Sequence, residues 1–421
     1  MKKLFFLLIL LISFSKSYCQ DLKYARGLID TLSSPAFFGR GYVNNGDKVA
    51  ANYIRIQLIK NYVIPFTINY YQPFSYPMNT FPGEMQLKMG ETLLIPGVDY
   101  LVDAASPGIK GNFKTLWLDE NTLSSDKKIV DFGKADFSKN FLLIDSGFKE
   151  IKTPKLFTAK GLIFLKKKDF YWSVSGADDT TKFVSIDLKR TSIKGNAKKV
   201  SVNIQSKYFK KYDTQNVAGY IKGRVAPDTF VVFTAHYDHL GKMGANTYFP
   251  GANDNASGVA LLLDLAKYYS KLENKPYYSI AFLFFSGEEA GLYGSNYFSQ
   301  RPLFPLNNVR FLINFDMVGT GSDGIKVVNG SVFKKEYYKL VEINNRNNYL
   351  KTVAIRGEAA NSDHYYFYKK GVKSIFIYTL GNEHKEYHTI GDKSETLPLT
   401  KYESLFHLTL DFINSLSTNN N

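Results

Sequence analysis

The sequence predicts an α/β protein: a three-layer unit of helices around one sheet, interrupted by a β-rich insertion. Three observations lead there. From Asn216 to the end, apolar runs of strand length alternate with segments of helical period. Between Pro82 and Lys207 the pattern changes to short alternating runs such as TLLIPGV, FKTLWL and KVSVNIQ, split by Gly, Asp, Ser and Lys. Around residues 230–295, the strings TFVVFTAHYDHLG, GANDNASGVALLLDL and YSIAFLFFSGEEAGLYGS join apolar runs to residues of metal-ligating type.

The first twenty residues, MKKLFFLLILLISFSKSYCQ, have the form of an export signal. Lys2 and Lys3 precede an apolar stretch, Leu4 to Ile12, that is too short to span a bilayer. Cys19, the single cysteine, sits at the expected cut and gives a signal peptide over 1–19. Cleavage there yields a soluble exported protein, periplasmic or secreted. Acylation of Cys19 would instead yield a lipoprotein, and Lys16, where an apolar residue is wanted, disfavours it. The mature chain has no cysteine, so a metal would be held by His, Asp and Glu.

Residues 22–62 follow a helical pattern, with Ala50, Ile54, Leu58 and Ile59 recurring on one face, and Pro65–Tyr76 reads as a strand. These belong to the first part of the main unit (20–81). The insertion (82–207) follows, as a lid or a spacer. From 208 to 421 the main unit resumes. Strands are expected at Val217–Ile221, Phe230–Ala235, Ser279–Phe285, Phe311–Phe315, Ile325–Val328 and Ser374–Tyr378. Helices are expected at Ser257–Ser270, Ala290–Ser299, Phe333–Asn345, Asp363–Lys370 and Tyr402–Ser415. The polar tail 415–421 is the one stretch read as disordered.

A chain of 421 residues with 44% hydrophobic content can bury a large core. Its formal charge of +15, which becomes +12 without Lys2, Lys3 and Lys16, comes from scattered lysines. No basic helix or RNA-type aromatic motif accompanies them, so the charge reads as a solvated surface and not as a nucleic-acid site. No membrane span is expected, and nothing in the sequence addresses oligomeric state.

In open α/β sheets the working residues lie beyond the carboxyl ends of the strands. Here His236 ends one apolar run, Glu288 and Glu289 follow the next, Asp316 follows the third, and His388 lies in the loop after the fourth. Asp254 opens the helix after the first of these strands. One such residue is an ordinary hydrogen-bonded side chain; together they point to a metal centre. Asp238, two residues after His236, faces the same side of an extended strand and is placed to accept from its imidazole.

The strings HYDHLG, GANDNASGVA, SGEEAGLYGS, NFDMVG, NSDHYYF and EYHT resemble the co-catalytic di-zinc aminopeptidase family. That family includes bacterial leucyl-type aminopeptidases, glutamate carboxypeptidase and the transferrin receptor. GRGYVNNGDKVAANYI resembles its N-terminal helical region, and the insertion sits where relatives carry a protease-associated domain. The resemblance implies the zinc-exopeptidase fold with a mixed, mostly parallel sheet. It also implies two zinc ions, replaceable by cobalt or manganese: His236 and Asp316 on one, Glu289 and His388 on the other, Asp254 bridging.

By the same resemblance Glu288 is the general base for a water shared between the ions, and Tyr387 steadies the oxyanion. Ser362, Asp363 and His364 match a string beside the pocket, in a supporting or substrate-contacting role. Asn361 stands where some relatives place an arginine for a substrate carboxylate. His239, His384 and His407 read as structural. The implied activity is secreted, zinc-dependent removal of the N-terminal residue from peptides. Alternatives are a carboxypeptidase or dipeptidase on the same site, a single-zinc glutaminyl cyclase, or a binding protein that has lost its ligands; none of the ligands is missing here.

Overall fold

The computed structural model describes residues 21–118, 125–145, 158–168, 170–176, 179–195 and 197–418. The expected export signal and Cys19 lie outside the described residues.

The long apolar runs become buried strands. Tyr278–Phe285 is buried at every position, as a strand covered by helices on both faces should be. It pairs in parallel with Ala226–His236, which pairs in parallel with Val309–Phe315, and that strand with Ser374–Leu380. Antiparallel neighbours flank this group: Lys207–Ile221 on one side and Gly324–Val328 on the other. The sheet is therefore mixed, with parallel pairing at its centre. Val353–Ile355, at the edge, is a three-residue strand too short to stand out in the sequence. The expected Pro65–Tyr76 strand divides into Ile64–Pro65 and Tyr71–Thr80, because the chain turns through Tyr70 at φ 66.

Side chains alternate across the sheet and build two cores. Val231, Phe233, Phe282 and Ile313 point to one face. There they meet Leu28, Ile54, Leu262, Leu340 and Phe412 of helices Leu22–Leu32, Gly46–Lys60, Gly258–Ser270, Lys334–Asn347 and Tyr402–Thr418. Val232, Leu283 and Leu312 point to the other, against Phe298 and Phe367 of helices Tyr293–Gln300 and His364–Lys369. The last helix runs past Ser415, where the sequence suggested a disordered tail, because Ile413 and Leu416 bury in the first core.

Between Met85 and Ile204 the described residues form a second, eight-stranded sheet. Its core is not private. Leu240, Met243 and Phe249, from the loop after His236, join Phe81, Trp172 and the inner face of that sheet in one cluster. The strand Lys207–Ile221 runs between the units, pairing first with Tyr71–Thr80 and then with Tyr278–Phe285.

Asp47, in the first turn of the helix Gly46–Lys60, is fully buried against that strand. It accepts hydrogen bonds from the hydroxyls of Tyr212 (2.7 Å) and Thr214 (2.8 Å). Burial outweighs these donors and pushes its carboxyl from 3.8 up to about 6. A carboxyl with a raised folded-state pKa costs nothing below its unfolded value and destabilises as pH rises through the window. The cost here begins near pH 3.8 and reaches roughly 3 kcal/mol above about pH 6. Urea unfolding should show the wild type losing stability relative to Asp47→Asn between about pH 4 and pH 6, with a constant difference above that range.

Candidate metal centre

Because the central strands run parallel, their carboxyl ends share one edge of the sheet. His236 closes its strand, Asp316 directly follows Phe315, and Glu288 and Glu289 lie just beyond Phe285. His388 comes in on the loop after Leu380. All five expected ligands and Glu288 line one cavity of about 240 Å³, together with Met317, Phe376, Tyr378 and Tyr387.

Asp254 stands at its centre. Its Oδ1 is 3.3 Å from His236 Nε2 and its Oδ2 is 3.2 Å from His388 Nε2. His236 Nε2 is also 3.3 Å from Asp316 Oδ1, and His388 Nε2 is 3.1 Å from Glu289 Oε2. Ligands spaced tetrahedrally around zinc at about 2.0 Å lie about 3.3 Å apart, so the donors are spaced as a cation would hold them. Two imidazole–carboxylate pairs joined by one carboxylate, with no thiolate, fit two zinc ions.

The imidazoles are held in one tautomer. His236 Nδ1 donates to the Asp238 backbone oxygen (3.1 Å), and His388 Nδ1 donates to the Trp172 backbone oxygen (2.9 Å). A carbonyl only accepts, so each Nδ1 carries a proton, and Nε2 is the nitrogen left facing the carboxylates and open to a metal.

Burial pushes the Glu288 carboxyl well above the usual range, and the charges of Glu289 and Asp316 add to this while His236 opposes. The imidazoles answer the same field: neighbouring carboxylates outweigh burial at both, and His388 is pushed up to about 11. Among the described residues, the ion pairs of these acids are all with histidine. Such a cluster attracts divalent cations.

The structure corrects several readings of individual residues. The Asp238 carboxylate does not bond the imidazole; its Oδ1 is 3.8 Å from His236 Nδ1, and the backbone oxygen takes that proton instead. The carboxylate turns the other way and accepts from Tyr42 Oη (3.0 Å) and from the Glu288 N–H (3.2 Å), so it positions Glu288. His239, read as structural, lies at the centre itself, its Nδ1 2.6 Å from Glu289 Oε1. His384 contacts Asp392 at 2.9 Å, and Asp392 accepts from the N–H groups of Asn253 (2.9 Å) and Asp254 (3.0 Å). Ser362 donates to Asp316 Oδ2 (2.9 Å), while Asp363 and His364 are buried outside the cavity lining. Tyr387 is partly exposed, with its ring stacked on His388 at 3.9 Å.

Arg40 was missed as a supporting residue. It is fully buried and donates to five carbonyls: Leu32, Tyr237, Pro250, Gly251 and Asp254, at 2.7–3.1 Å. Burial pulls its pKa from 12.5 to about 10, so it stays charged. It ties the end of the His236 strand to the loop that presents Asp254. Gly251 makes this fit possible: at φ 61, a Cβ there would lie 2.3 Å from the Asp254 oxygen. Arg40→Ala would leave buried carbonyls without donors, and urea unfolding should show a loss of about 3 kcal/mol or more.

Residues 216–413 match Peptidase family M28. A probable zinc metalloprotease from Pyricularia oryzae is 40% identical over 115 residues, which cover 26% of this chain and 22% of that protein. The chain thus spans under a quarter of the length of that curated relative. A zinc aminopeptidase from Bacillus subtilis superposes with a TM-score of 0.70 at 19% identity, over 94% of this chain and 95% of that one. A peptidase M28 precursor from Shewanella amazonensis superposes at 0.68 and 15% identity, over 94% of each chain. At these identities the likeness is one of fold.

Proposed function

We propose that the protein, whose residues 216–413 match Peptidase family M28, is an exported zinc aminopeptidase with two metal positions. The observation that carries this reading is Asp254, one oxygen towards each histidine, with a further carboxylate beside each imidazole. When bound, the zinc ions would lower the pKa of an attacking water and polarise the peptide carbonyl.

The chain's own groups supply the rest. Glu288 faces the same space, its carboxylate 3.9 Å from His236 Nε2, and takes the proton of the attacking water. It then hands that proton to the departing amine. The Tyr387 phenol lines the same cavity and donates to the oxygen on which charge develops. Met317, Phe376 and Tyr378 give the cavity an apolar wall suited to an apolar side chain at the cleaved residue.

The lining also argues against the carboxypeptidase alternative. A substrate's C-terminal carboxylate calls for a cationic side chain, and among the described residues the cavity is lined by neither lysine nor arginine. Asn361 occupies the wall, and Arg356 stays at the hydroxyl of Tyr378, 3.4 Å away.

Metal analysis of the wild type should return two zinc ions per chain, and a chelator should abolish release of the N-terminal residue from an aminoacyl substrate. An N-acetylated analogue should resist cleavage. Glu288→Gln should keep both zinc ions and lower kcat by about 100-fold or more; a variant with near-normal turnover would remove Glu288 from its assigned role.

A further inference from the structure

We infer that the second sheet completes the metal centre: its segment 170–176 is a strap that positions His388 and the Glu289 loop, so the grip on one of the two metals depends on docking of the inserted unit. This rests on the two-metal reading proposed above.

The strap meets His388 in both directions. The Trp172 N–H donates to the His388 carbonyl (3.0 Å), and His388 Nδ1 donates to the Trp172 carbonyl (2.9 Å). His388 needs such a clamp, because its backbone lies at φ 54. A non-glycine residue there costs on the order of 1 kcal/mol and persists where its surroundings fix it. Trp172 is itself anchored. Its ring stacks on Phe249 at 4.8 Å, and its Nε1 donates to the Val102 carbonyl (2.7 Å) in the second sheet. Further along, the Gly176 N–H donates to the carbonyl of Ala290, next to Glu289, at 3.2 Å. The Gly176 carbonyl accepts from Tyr293 Oη (2.9 Å).

The two metal positions therefore differ in what supports them. At the His236–Asp316 position the partners come from loops of the main unit: Asp238 for the imidazole, Ser362 for the carboxylate. At the Glu289–His388 position the imidazole's partner is supplied by the strap. Loosening the strap should weaken that position and spare the other.

The test is zinc titration of the metal-free, full-length protein against a chromophoric chelator, with circular dichroism to confirm folding. Trp172→Ala should keep one tight site and weaken the second by about 10- to 100-fold, the range for loss of a ligand's outer hydrogen-bond partner. Trp172→Phe, which keeps a ring to stack, should recover most of that affinity. Tyr293→Phe removes one hydroxyl from the strap's far end and should shift the second site in the same direction by less; it decides the question if Trp172→Ala does not fold. Equal weakening of both sites, or folded variants that bind as the wild type does, would overturn the strap. A wild type that holds a single zinc would instead sink the two-metal reading, and the strap's selective role with it.

Discussion

The structure is governed by the need to keep four carboxylates together at one edge of a buried sheet. Asp254, Glu288, Glu289 and Asp316 line the same small cavity, with imidazoles as their ion-pair partners. Burying one unpaired carboxylate costs several kcal/mol, and like charges at this range repel, so the cluster persists only where the surroundings fix each group. That explains how much of the nearby chain serves the acids and not the cavity itself. Ser362 is held by Asn314 and donates to Asp316; Asp392 collects the N–H groups before and at Asp254. Asp238 takes the Glu288 N–H.

Arg40 shows the same logic in the backbone. An arginine is normally buried with an acid; here the guanidinium spends its donors on five carbonyls from three segments of the chain. A carboxylate partner would have neutralised it. Carbonyls leave its positive charge beside the acidic cluster, where it favours ionised Asp254 and Glu289. One residue thus sets loop geometry and local potential together, and both effects act on Asp254, the group shared between the histidines.

Strand-level organisation was legible in the sequence because buried parallel strands write themselves as uninterrupted apolar runs, as in Tyr278–Phe285. The candidate ligands were legible because parallel strands place their ends on one edge. What stayed hidden depends on partners that carry no side-chain signature. Arg40 bonds backbone oxygens about two hundred residues away, and Trp172 reaches His388 through its own backbone. A Gly-Arg-Gly string and a lone tryptophan do not announce such contacts. Asp238 lies past the end of the strand that closes at His236, and extended geometry does not tell which nearby donor its carboxylate accepts from. His239 and His384 read as structural because periodicity says nothing of which loop folds back upon them.

The charge of the whole chain is a poor guide to its substrate. The net +15 comes from lysines scattered along the chain, and at physiological salt the influence of a solvated charge fades within about 8 Å. The potential a substrate meets is set by the cavity lining, which holds four carboxylates and two imidazoles. On the two-metal reading proposed above, these carboxylates would offset most of the charge of the cations and leave a pocket close to neutral. A free carboxylate entering that pocket would give up its hydration and gain no lysine or arginine from the lining. Local balance, and not the overall basicity, is therefore what the proposed preference for the amino end of a peptide rests on.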